Sequence, residues 1–125
     1  MKKLVFDLDG TLTVDDVKVS YEDRLPRLDV VERLRAYKAD GFEIIIATAR
    51  SMRTYSGSVG KINANTLPGV ISWLDRHAIP YDEIHVGKPW CGNDGFYVDD
   101  RAVRPSEFAS LSIDQINELL ANERS

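Results

Sequence analysis

The stretch "FEIIIAT", residues 42 to 48, constrains the fold more than any other feature of the chain. Its three consecutive isoleucines read as a strand whose two faces are both covered, because successive side chains of a strand point to opposite faces. "KLVFDLD" near the start carries a second such apolar run, Leu4 to Phe6. Between them the pattern is helical from Pro26, with Leu28, Val31 and Leu34 recurring at threes and Gly41 closing the helix. Thr66 and Pro68 open another helix running to about Ala78, with Val70, Ile71 and Leu74 on its apolar face. "EIHV" then reads as a third strand and "GFYVDD" as a fourth. "SIDQINELLANERS" reads as a final amphipathic helix with Ile113, Ile116, Leu119 and Leu120 turned inward.

Strands alternating with helices predict an α/β fold with a parallel sheet covered on both faces. In such sheets ligands gather outside the carboxyl ends of the strands. The polar residues that follow the four strands are Asp7 and Asp9, then Thr48 and Arg50, then Lys88, then Asp99 and Asp100. The fold therefore brings them all to one edge. Residues 10 to 27 read as a polar loop in which "VKVSY" forms a small extended flap, and residues 50 to 65 as a long polar loop beside the second strand end.

That set of residues is suited to phosphoryl transfer, which needs positioning and charge stabilisation above all. The Asp7 carboxylate can attack phosphorus without first losing a proton at neutral pH. Asp9 can give a proton to the leaving alcohol and later take one from water. Asp99 and Asp100 suit a hard, oxygen-seeking ion such as magnesium. Thr48 and Lys88 can bind the oxygens of the transferred group, one by a hydrogen bond and the other as a point charge. Arg50 is placed to meet a phosphate or a substrate carboxylate. Each motif has a plainer reading alone: "DLDG" as a capped turn, "GKP" as a turn, "VDD" as a loop cap. Their order at successive strand ends is what argues for chemistry.

"DLDGTLT", "IIIATAR", "GKP" and "VDD" resemble, in that order, the four motifs of the haloacid dehalogenase superfamily of phosphotransferases. The resemblance covers residues 4 to about 104. It implies a three-layer Rossmann-like fold and an aspartyl phosphate on Asp7, with Asp9 as general acid and base. It also implies magnesium held by the Asp7 carboxylate, the Asp9 backbone carbonyl and Asp99, with Asp100 as a further ligand or an acid behind it. The family's dehalogenases generally lack the second aspartate, so Asp9 points to a phosphatase. Neither interval between motifs has room for a cap domain, which resembles the capless class. An uncapped site is usually covered by a large substrate or by a neighbouring subunit. The small acidic chain favours a homo-oligomer around a small phosphorylated sugar or sugar acid, as in short phosphatases of lipopolysaccharide and capsule biosynthesis.

Charge, cysteine content and hydropathy bound the alternatives. A net charge of −4 argues against a general nucleic-acid surface. Cys91 is the only cysteine, so no internal disulfide can form and a reducing compartment is expected. Asp7 and Asp9 interrupt the N-terminal apolar run too early for a signal peptide. No stretch approaches the roughly 20 apolar residues of a membrane helix. The expectation is one cytoplasmic domain over residues 1 to 125. Two other functions stay open: a phosphoacceptor signalling domain, which normally shows a different motif order, and a silent magnesium-binding module. His77, His85, Asp15, Asp16 and Cys91 read as structural or solvated, and Trp90 as a core or interface residue before a substrate platform.

Overall fold

The computed structural model describes residues 2–124. These form two compact units, one ending at Trp90 and the other beginning at Cys91.

The first unit is built on a three-stranded parallel sheet in the order β1 (Lys3–Phe6), β2 (Glu43–Thr48), β3 (Glu83–Val86). Its register sets Leu4 beside Ile44 and Phe6 beside Ile46. Phe6, Ile44, Ile46 and Thr48 are buried, whereas Val5, on the alternate face, is 66% exposed. Helix α1 (Leu28–Ala39) joins β1 to β2, and α2 (Val59–Asn65) and α3 (Leu67–Arg76) join β2 to β3. Parallel crossovers are right-handed almost without exception, so two that step the same way along a sheet carry their helices over the same face. Val30, Val31 and Leu34 of α1 and Val70, Trp73 and Leu74 of α3 supply the core there. This is the expected Rossmann-like α/β arrangement, with no cap domain in either interval, but the helices of this unit cover one face of the sheet and not both, and Val5 on the other face stays exposed.

Residues 50 to 65 depart from expectation. The second half of that polar segment is helix α2, begun by Ser58, whose side chain accepts a hydrogen bond from Lys61 N. A single apolar residue, Ile62, anchors it in the core. Seven residues with one buried position give no readable periodicity, which is why the pattern misses it.

The second unit contains α4 (Pro105–Ser110), where Glu107 Oε1 accepts from Arg104 N at 2.8 Å, and α5 (Ile113–Glu123), closed at its start by a reciprocal capping box of Ser112 and Gln115. "GFYVDD" is not a strand. Residues 96 to 99 are irregular, and Phe96 and Val98 are 80% and 89% exposed. A strand exists through hydrogen bonds to a neighbour, which an apolar composition does not supply. In α5 only Ile116 of the four expected inward residues is buried, Ile113 and Leu119 being well exposed. Periodicity marks the apolar face of a helix without saying how much of it is covered.

Candidate active site

Asp7 leaves β1 directly into a tight loop. The carbonyl of Leu8 accepts from the backbone N–H groups of Thr11, Leu12 and Thr13 at 3.2, 2.9 and 3.2 Å, and Leu8, Leu12 and Thr13 are almost wholly buried. Gly10 has φ +82°, the left-handed region that side chains rarely adopt. Its N–H donates to Thr13 Oγ1 at 3.2 Å and its carbonyl accepts from Arg27 Nη1 at 3.1 Å. The loop is thus plugged into the core from below and tied from the side. Its two aspartates project from a fixed backbone.

Thr48 ends β2 and is 1% exposed. Its hydroxyl accepts from Arg50 N at 3.0 Å and keeps its own proton to donate. The turn that follows has Ser51 at φ +68°, with Thr66 Oγ1 donating to Ser51 Oγ at 2.7 Å. Beyond β3, Gly87 turns the chain at φ +85°, and the Lys88 N–H donates to the Thr48 carbonyl at 3.2 Å. That bond sets Lys88 level with Thr48, and its Nζ lies 3.5 Å from Asp7 Oδ1. Asp7, Thr48 and Lys88 therefore stand at the carboxyl ends of three adjacent strands.

The carboxyl of Asp7 is pushed above the usual carboxylate range by burial, against the pull of the Lys88 ammonium. The contacts on its oxygens are long. Besides Lys88, Thr11 Oγ1 donates to Oδ2 at 3.4 Å. Asp9 is held far more tightly. Arg50 donates to it from Nε at 3.0 Å and from Nη2 at 2.7 Å, a bidentate pair, and Arg24 Nη1 lies 3.7 Å from Oδ1. Both arginines are about nine-tenths buried, and their guanidinium carbons lie 4.1 and 4.4 Å from the centre of the Tyr21 ring.

Arg24 and Tyr21 belong to residues 10 to 27, read from sequence as a polar loop with a small extended flap that ends at Tyr21. Its base is pinched shut: Thr13 bridges Pro26 antiparallel, and Val14 N donates to the Leu25 carbonyl at 2.7 Å. A 3-10 turn at Tyr21–Asp23 forms its tip, and the buried Trp73 Nε1 donates to the Arg24 carbonyl at 2.9 Å. An arginine in a polar loop carries no local signal that it will be buried, so the sequence reading passed over both residues.

Asp99 and Asp100 lie in the second unit. Asp99 Oδ1 accepts from Arg101 N at 2.7 Å and so caps a turn. Among the described residues no three His, Cys, Asp or Glu side chains gather into a metal centre. Magnesium commonly takes only one or two carboxylates, completing its shell with phosphate oxygens and water. Trp90 is 43% exposed, with the Arg53 guanidinium 5.9 Å from its ring centre. No helix of the described residues is long and apolar enough to cross a membrane.

The sequence profile of haloacid dehalogenase-like hydrolases matches residues 4–72. The crystal structure of an MCSG target from Vibrio cholerae is 63% identical, with a TM-score of 0.95 over 98% of this chain and 99% of that one. A chain of the Pnkp1/Rnl/Hen1 complex shares the fold at a TM-score of 0.53 and 23% identity, over 88% of this chain and 34% of its own. No curated protein sequence matches.

Proposed function

The chain belongs to the haloacid dehalogenase-like hydrolases, and from that membership we propose that it is a magnesium-dependent phosphomonoester hydrolase working through a phosphorylated Asp7. The observation that carries this reading is the Asp7 carboxylate facing the Lys88 ammonium at 3.5 Å across the strand ends, with the Thr48 hydroxyl between their strands. A nucleophile, a cation and a hydroxyl donor converge where a phosphoryl group would sit.

In the first step an Asp7 oxygen bonds to phosphorus as the bond from phosphorus to the alcohol oxygen breaks. The electron pair stays on that oxygen, which takes a proton from Asp9. In the second step water attacks phosphorus, its proton passes to Asp9, and the Asp7–phosphorus linkage breaks to release phosphate. Lys88 and Thr48 hold the phosphoryl oxygens in both steps. Arg50 enters through Asp9, to which it is already paired.

Within the first unit the donors that would hold magnesium are the Asp7 carboxylate and the Asp9 backbone carbonyl, and motif order alone adds the carboxylates of Asp99 and Asp100 to the proposal. They fit a hard cation, because all are oxygens and the burial of Asp7 disfavours an uncompensated negative charge. When bound, the ion supplies positive charge to the phosphoryl oxygens and to Asp7.

The substrate class we propose is a small phosphorylated sugar or sugar acid of surface polysaccharide synthesis, handled in the cytoplasm. The absence of an inserted cap between the strands supports a site covered by a second copy of the chain. Phosphate release from a panel of sugar phosphates, sugar acid phosphates and an aryl phosphate tests the reading. Turnover should need magnesium and vanish in Asp7→Asn. Stable phosphorylation of Asp7 by a small donor, with no turnover of any ester, would instead make the chain a phosphoacceptor.

A further inference from the structure

We propose that Arg50, backed by Arg24 and Tyr21, is a positioning residue that fixes the Asp9 carboxyl in the direction of the leaving oxygen. The inference rests on the phosphatase reading, which assigns proton transfer to Asp9. Its own basis is geometric. The loop backbone fixes the Cα of Asp9, yet an aspartate side chain still has two torsions free. A planar guanidinium bound through two parallel N–H···O contacts removes that freedom, as a single contact would not. The bonds of 3.0 and 2.7 Å occupy one lone-pair direction on each oxygen. Each oxygen keeps another direction, so the grip orients the group without blocking it.

The arginine is itself held. Its backbone N–H is fixed on Thr48 Oγ1, and its guanidinium lies 4.1 Å from the Tyr21 ring centre. Arg24 packs on the same ring at 4.4 Å, donates from Nε to the Val19 carbonyl at 3.3 Å, and has its own carbonyl bound by Trp73. Residues 19 to 24 thus form a wall that braces Arg50 against Asp9. Arg24 Nη1 is shared between Asp15 Oδ1 at 3.4 Å and Asp9 Oδ1 at 3.7 Å, so the close two-point grip on Asp9 comes from Arg50. Misplacing a reacting group by about 1 Å can cost ~100-fold in rate.

Leaving-group dependence tests this. An alkyl oxygen needs a proton to depart and a nitrophenyl oxygen does not, so loss of Asp9 placement should be selective. We would measure kcat/KM of wild type, Asp9→Asn, Arg50→Ala, Arg50→Lys and Tyr21→Leu on an alkyl and a p-nitrophenyl phosphate. Arg50→Ala is expected to lose about 100-fold on the alkyl ester and less than about 10-fold on the aryl ester. Lysine, with no fork, should restore little, while added methylguanidinium should recover part of the alkyl turnover. Tyr21 is half exposed, so Tyr21→Leu leaves the core filled and should shift the same ratio by a smaller factor if Arg50→Ala does not fold. Equal losses on both esters in Arg50→Ala or Tyr21→Leu would overturn the proposal. Absence of turnover in wild type would remove the phosphatase reading on which it rests, and equal losses in Asp9→Asn would remove the proton-transfer role of Asp9; both results are visible without the arginine variants.

Discussion

The Lys88 ammonium stands 3.5 Å from Asp7 Oδ1, although the two residues leave strands separated by β2. Two roles follow from that distance. Lys88 opposes the desolvation that pushes the Asp7 carboxyl upward, and it offers a charge to the phosphoryl oxygens. Lys88→Met should therefore lower kcat by roughly 100- to 1,000-fold. Steady-state kinetics on the best substrate checks this, and a change confined to KM would contradict it.

Gly87 sets the direction of Lys88. It sits at φ +85°, and a methyl group placed there would lie 2.9 Å from Val59 Cγ2 of α2. Gly87→Ala meets both the backbone strain and the contact, at a cost of about 1–3 kcal/mol. Urea unfolding should show that loss, and activity should fall with it because Lys88 must move.

Trp73 links the core to the flap. It is 1% exposed and its indole N–H binds the Arg24 carbonyl at 2.9 Å. Trp73→Phe keeps most of the apolar volume but removes the donor, which should cost about 1–3 kcal/mol. Trp73→Ala should cost about 3–5 kcal/mol. Faster amide exchange at residues 19 to 25 in Trp73→Phe, with less change in the sheet, is the expected pattern.

Acid stability depends on Asp82. Its carboxylate accepts from Lys38 Nζ at 2.8 and 2.9 Å and from Ile44 N at 2.8 Å, tying α1 and β2 to the head of β3. The Lys38 hydrogen bonds, then the one from Ile44, lower its pKa. The unfolded chain then takes up this proton more readily than the folded one. The stabilisation is complete above the unfolded value of about 3.9 and is lost as pH falls through the lower folded value. Thermal melts from pH 6 to pH 2 should show a steeper decline in wild type than in Asp82→Asn.

The sheet and the candidate site differ in how far sequence alone reveals them. The apolar runs at Leu4–Phe6 and Ile44–Ile46 mark β1 and β2 because burial on a sheet demands such side chains. The position of Asp7, Thr48 and Lys88 at strand ends follows from where those runs stop. Helix α2 escapes because one buried residue, Ile62, leaves no period to read. The reading of "GFYVDD" as a strand fails for the opposite reason, since its apolar character is real but its backbone is irregular and Phe96 and Val98 stay exposed. Arg24 and Tyr21 escape because nothing local distinguishes a buried guanidinium from a solvated one.

Local chemistry, then, is written in the chain: which segments are apolar, where they end, and that carboxylates, a hydroxyl and an ammonium follow them. Tertiary structure alone decided that Arg50 would meet Asp9 and that a loop arginine would be drawn in behind it. The reason is physical. Hydrophobic burial depends on the character of each residue and can be read one segment at a time. A bidentate ion pair depends on the relative placement of two distant backbones, and it exists only once the core has fixed both.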